Sequence, residues 1–181
     1  MANNVTTFYA LSGDKKAVKS LYKILKKEAR GDNEPVFVSD LMNALGADTE
    51  KLFSEGCISG VTKKKGCVRF LADTPWERNE DLEKVIKDKY PGLDVHFLVE
   101  DIGNESIETN DAEEKFFPER VAIINKRDEV FNQIHYYTRE EARRVICDIL
   151  GADPDKTSWE EVKALAAKRN SLHVYEVEII E

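Results

Sequence analysis

The stretch GCVRFLADTPWERNEDLEKVIKDKYPGLDVHFLV, residues 66–99, decides the fold. It reads strand, turn, helix, strand. Val68, Phe70 and Ala72 alternate with Arg69 and Leu71, the period of a strand with one buried face. Thr74 and Glu77 have the spacing of a capping box, with Pro75 at the first helical position, where no amide hydrogen is missed. This predicts a helix that opens at Thr74. Leu82, Val85, Ile86 and Tyr90 form one stripe at helical spacing, and Pro91-Gly92 ends it. Val95, Phe97 and Val99 then alternate with His96 and Leu98. Neither element of so short a unit can bury its apolar side alone, so the helix must lie on a sheet.

Toward the N-terminus, Val5–Leu11 reads as a strand and Ser12-Gly13-Asp14 as the turn into a helix. Val18, Leu21, Tyr22 and Leu25 give that helix its inward stripe. Its other face carries Lys15, Lys16, Lys19, Lys23, Lys26 and Lys27. Gly31–Pro35 is a loop, and Val38–Leu45 a short helix capped by Ser39 and closed by Gly46. Cys57–Thr62 and Cys67–Ala72 flank Lys63-Lys64-Lys65-Gly66 and read as a hairpin.

Beyond Val99, Glu100–Asn104 is a polar turn, and Glu105–Thr109 a strand that hairpins back. Val121–Ile124 and Val130–Tyr137 are partner strands around a turn at Lys126-Arg127-Asp128. Thr138–Glu141 and Ser158–Glu161 are capping boxes that open two more helices, and Leu172–Ile180 closes the chain as a strand. The expectation is an α+β protein. Residues 1–111 form a ferredoxin-like split β-α-β domain whose antiparallel sheet is covered on one face by two helices. Residues 112–181 form a strand-rich, two-helix ββααβ extension packed against it.

The 181 residues carry a net charge of −8, unevenly spread. Residues 1–70 hold 12 Lys and Arg against 8 Asp and Glu, a net of +4, whereas residues 71–181 have a net of −12. Such a chain is a poor nucleic-acid binder over its whole surface, but a local basic patch at its start is compatible with the balance. No apolar run approaches the roughly 20 residues that span a bilayer. The N-terminus lacks the charged and apolar regions of a secretion signal, so a cytoplasmic protein is expected. Cys57, Cys67 and Cys147 show no CxxC pair and read as buried thiols, with a Cys57–Cys67 bridge across the hairpin as the minor alternative.

The chemistry-bearing motifs are absent from the sequence. His96, His135 and His173 are far apart with no ligand spacing, and there is no GxSxG, GxGxxG or GxxxxGK[ST]. No cofactor or metal is expected. Glu100, Asp101, Glu105, Glu108 and Asp111 bracket the predicted hairpin. They read as an acidic rim, with acid–base work or a divalent cation as the alternative.

The run Phe70–Trp76, Lys89–Phe97, Val99–Gly103, Ile107–Asp111 and Phe116–Arg120 resembles the YubB-type ferredoxin-like domain family of plasmids, phages and gut bacterial mobile elements. The shared pattern is a Thr/Trp step before the second helix, a Tyr-Pro at its end and an acidic-Gly turn after the next strand. A Glu-Thr-Asn-Asp and a Phe-Pro-Glu-Arg stretch follow. Val5 stands where the family often has a tryptophan, and Ile58-Ser59-Gly60 where many members have Asn-Trp-Gly. The resemblance implies the fold and a mobile-element setting, and no activity.

Two functions from different classes are compatible with this pattern. The first is a non-enzymatic protein-binding module, in one version an acidic mimic of nucleic acid that occupies a defence or DNA-processing protein. Its contact residues would be Trp76, Glu105, Glu108, Asp111, Phe117 and Arg120, since Trp and Arg dominate interface energetics. The second is a nucleic-acid-binding protein that uses Lys15, Lys19, Lys23, Lys26 and the tip lysines Lys63, Lys64 and Lys65.

Overall fold

The computed structural model describes residues 3–29, 35–125 and 134–180. Residues 31–34 of the loop expected over Gly31–Pro35, the turn at 126–128 and the first half of the strand expected over 130–137 lie outside the described residues. The protein is α+β, with mostly antiparallel strands. It divides into two compact units, one of residues 1–111 with 180–181 and one of residues 112–179.

The first unit runs β1 (Asn4–Gly13), α1 (Lys15–Glu28), β2 (Val36–Phe37), α2 (Val38–Leu45), β3 (Cys57–Lys64), β4 (Cys67–Pro75), α3 (Glu80–Lys89), β5 (Leu93–Asp101) and β6 (Ser106–Thr109). Its strands lie in the order β6-β5-β1-β4-β3-β2. β1 and β3 therefore flank β4, while β4 and β5 flank β1. This order is compatible with the two interleaved crossovers of a split β-α-β. β1 is the central strand, antiparallel to both neighbours, with Tyr9 opposite Phe70 on one side and Phe97 on the other.

One sheet face meets the helices. Val5, Tyr9 and Leu11 of β1, Val68, Phe70 and Ala72 of β4, and Val95, Phe97 and Val99 of β5 share a core with Leu21 and Leu25 of α1 and Leu82 and Ile86 of α3. Each of the valine, leucine, isoleucine and phenylalanine side chains among them contributes about 1.5–3 kcal/mol by leaving water. The helical layer has three members rather than two, because α2 buries Val38, Leu41 and Met42 in the same core and packs against α1 and α3.

Two helix starts differ from the sequence expectation. Thr74 does not cap α3. It is paired with Val5 in the sheet, so its backbone is extended, and its hydroxyl donates to the Glu77 carbonyl. The chain then turns at Trp76, which has φ 73°, and Asn79 caps the helix by accepting from the Leu82 amide at 2.7 Å. Ser39 does not cap α2 either, since that helix already includes it. Asp14 does cap α1, through the Ala17 amide at 2.8 Å.

The β3–β4 hairpin is tighter than the lysine run suggests. Lys64 pairs with Cys67, which leaves only Lys65-Gly66 as the loop. Their φ values of 47° and 79° are those of a type I′ turn. A left-handed lysine costs about 1 kcal/mol relative to glycine or asparagine there. One extra residue between Ser59 and Thr62 makes a bulge at Gly60, φ 62°. The bulge reverses the alternation of β3, so Lys63, opposite buried Val68, joins the helix-covered face.

The cysteines are free, and only Cys147 is buried. Cys57 pairs with Asp73 and Cys67 with Lys64, which separates the two by six residues along β4, roughly 20 Å. A bridge between them is excluded by register. Burial and the neighbouring Asp73 push the Cys57 thiol up, so it is a poor nucleophile.

The second unit contains β7 (Val121–Asn125), β8 (Ile134–Tyr137), α4 (Arg139–Leu150), α5 (Trp159–Ala166), β9 (Leu172–Glu176) and β10 (Glu178–Ile179). Its sheet has the order β8-β7-β9. Both helices open with full capping boxes, at Thr138 with Glu141 and Ser158 with Glu161. Ile146 and Val162 bury their stripes against Val121 and Ile123. The closing strand is interrupted at Val177, whose amide donates to the Arg120 carbonyl.

Candidate functional site

The site forms where β1 begins, because the register there brings Asn4 beside Pro75 and Thr6 beside Glu100. The α3 entrance and the β5–β6 turn are thereby placed around a cleft of about 470 Å³ in the first unit. Val5, Val99, Phe53 and Ile180 supply its apolar surface. Glu77, Glu80, Asp81, Asp101 and Glu108 supply carboxylates, and Arg78 is the cation among its lining residues.

Arg78 is already committed. One guanidinium nitrogen donates to both oxygens of Glu83, at 2.6 and 2.7 Å, and the other to Glu80 at 2.8 Å. The guanidinium lies 4.0 Å from the Phe97 ring centroid. Glu83 is 7% exposed and also accepts from the Tyr9 hydroxyl at 3.0 Å. Burial, then the adjacent Glu83 charge, pushes the Tyr9 phenol well above its usual value, so it stays a donor. With Arg78 held inward by Glu83, the cleft keeps an excess of negative charge.

Asn3 ties the two walls together. Its side-chain amide donates to Asp101 at 2.6 Å, and its carbonyl accepts from the Trp76 amide at 2.7 Å. Asp101 also accepts from the Asn104 amide at 3.1 Å and the Asn104 side chain at 2.7 Å. Burial works to raise the Asp101 carboxyl. The bonds from Asn104, Asn3 and Gly103 outweigh it and hold the group below the usual aspartate range. A Cβ on Gly103 would run into the Asn3 side chain, which explains the glycine in this turn.

Trp76 stands beside the lining residue Glu77 and is 61% exposed, although it is a large aromatic residue. Its φ of 73° is a strained value for a bulky side chain, held by the Asn3 bond. Glu108 lines the cleft. Glu105 is exposed on the β5–β6 turn with φ 55°.

The other expected contact residues are placed differently. Asp111 is only 2% exposed, and its amide is bonded to the Thr109 hydroxyl. It follows a segment whose side chains finish the sheet: Thr109 donates to the Phe97 carbonyl, and Asn110 bonds both the Phe97 amide and the Val95 carbonyl. The Glu-Thr-Asn-Asp stretch thus extends the ladder of β5, which withdraws Asp111 from any surface. In the second unit Arg120 is 9% exposed, 3.5 Å from Glu114, and Phe117 is half-buried. Arg120 is therefore not a surface contact residue. Among the aromatic residues, Phe97 and Phe116 are buried, whereas Trp76 is exposed, as suits a contact residue.

Glu77, Glu80 and Asp81 were not among the expected contacts. Their signal was the acidic start of α3, which reads equally well as helix-dipole stabilisation. Among the described residues no group of three or more His, Cys, Asp or Glu is arranged to hold a metal ion, and no helix is long and apolar enough to cross a membrane. No family model, curated protein or solved structure matches the chain.

Proposed function

We propose that the protein is a cytoplasmic, non-enzymatic binding module of the mobile-element kind, whose acidic cleft takes a cationic segment of a partner protein. The observation that carries this reading is Trp76. It is an exposed tryptophan in a strained left-handed backbone, anchored by Asn3 beside a cleft with five carboxylates. Residues held in sparsely populated backbone regions point to function. A flat aromatic anchor beside a desolvating acidic recess suits an Arg- or Lys-bearing segment. No histidine or cysteine is among the residues that line the cleft. The expected partner is a defence or DNA-processing protein, whose surface is built for phosphates and would accept carboxylates in their place.

The test is affinity capture from cognate lysate with the wild type, Trp76→Ala and the Glu105→Lys/Glu108→Lys double variant, each checked for fold by circular dichroism. A partner that elutes with salt and is lost from both variants is the expected result. As an anchor, Trp76 should be worth at least about 2 kcal/mol, roughly thirtyfold in Kd. Equal capture by all three proteins would end the proposal.

A further inference from the structure

The lysines of α1 and of the β3–β4 hairpin belong to one surface, at a place the acidic cleft does not use. Residues 15–27 contain six lysines and no acid. Lys15, Lys19, Lys23 and Lys26 follow one stripe, and Tyr22 lies on it, three residues after Lys19 and four before Lys26. The bulge at Gly60 puts Lys63 on the helix-covered side of β3, where its ammonium sits 5.5 Å from the Tyr22 ring centroid. That contact joins hairpin and helix. Lys65 extends the surface to the tip, in a left-handed position that asparagine or glycine would fill at lower cost, and Lys64 beside it points to the other side of the hairpin.

None of these seven lysines is in an ion pair among the described residues, and each is exposed. In the second unit, by contrast, Arg139, Arg143, Arg144, Lys156 and Lys163 all meet carboxylates. The stripe from Lys15 to Lys26 is about 16 Å long at 1.5 Å per residue, close to five base-pair steps at 3.4 Å. The hairpin tip, beyond Leu11 and Val68, lies at the far end of β1 from the cleft at Asn4 and Pro75, about 23 Å away.

We infer that α1 and the β3–β4 hairpin track the phosphate backbone of a nucleic acid. Seven cations on one helix and one tip contact phosphates rather than base edges, so binding is tolerant of sequence and driven by counterion release. Five to seven contacts give a slope of log K against log salt of about −5 on duplex DNA, a loss of roughly 10³-fold between 50 and 200 mM salt.

The experiment is fluorescence anisotropy of the full chain with a labelled 20-bp DNA duplex and with single-stranded DNA and RNA of equal length. Lys19→Gln/Lys23→Gln/Lys63→Gln should flatten the slope by about 3 and weaken binding to every strand form. Lys84→Gln/Lys87→Gln, two exposed lysines of α3, should leave both unchanged. Binding to duplex, single strand or both supports the inference and identifies the form taken. Absence of binding to all three at 50 mM salt overturns it, as does equal loss in the α3 control. Binding only to vesicles rich in phosphatidylserine would also overturn it and assign the face to a membrane surface. The acidic cleft plays no part in this assay, so its outcome is independent of the protein partner.

Discussion

Removing the Arg78 guanidinium should destabilise the first unit far more than removing any exposed charge. In Arg78→Met the stem still covers Phe97, but Glu83, 7% exposed, keeps only the Tyr9 hydroxyl as a partner. Breaking a buried ion pair from one side costs about 3–5 kcal/mol. Loss of the Glu80 contact adds little, because that side chain is 78% exposed. Adding Glu83→Gln removes the stranded charge and keeps an acceptor for Tyr9, so the double variant should return to within about 2 kcal/mol of wild type. Amide hydrogen exchange by mass spectrometry reads the effect unit by unit. Peptides from β1 and α3 should exchange roughly 10²- to 10³-fold faster in Arg78→Met, while α4 peptides stay unchanged as an internal standard. Less than tenfold acceleration, or a double variant no better than the single, would refute the view that this pair carries its charge out of water.

Three further outcomes follow from the geometry. Glu105→Gly relieves a left-handed backbone without removing a core contact and should raise stability by about 0.5–1 kcal/mol in urea unfolding. Acidification should act on Asp101: its folded pKa is depressed, so its stabilisation is present above the ordinary aspartate value near 3.9 and is lost as pH falls through the folded value. Asp101→Asn should flatten that acid limb of a pH-stability curve. With a thiol reagent, Cys67 should react in the folded protein, Cys57 more slowly because its thiol is pushed up, and Cys147 only after unfolding, so a native count of three would contradict the packing of α4.

The sheet and its helices were legible because apolar spacing is local. Val68, Phe70, Leu82, Ile86, Val95 and Phe97 carry their periods within one short run, and all six are buried. Helix starts were legible only where nothing competed: Thr138 and Ser158 cap as their spacing suggests, whereas Thr74 has equally good spacing but is claimed by its pairing with Val5. Asn79, three residues before Leu82, was the rival signal in that run. The cleft was only partly legible. Trp76 and Glu108 stood out by residue type, but Asn3 and Asp101 meet across 98 residues and Tyr9 and Glu83 across 74, distances over which no pattern in the chain speaks. The bulge that aims Lys63 at Tyr22 depends on one extra residue at Gly60, and a hairpin pattern alone does not show it.

The position of β1 has a consequence for how the protein is made. β1 is synthesised before β4 and β5, both of which need it as a template, and its partner Glu100 lies 94 positions after Thr6. At about 5–20 residues per second the ribosome supplies that partner roughly 5–20 s after the template. Until Asp73 of β4 follows, 67 positions after Thr6, the nascent segment has two bare edges, and one stays bare until β5, so slow, chaperone-sensitive maturation is built into the order of the strands.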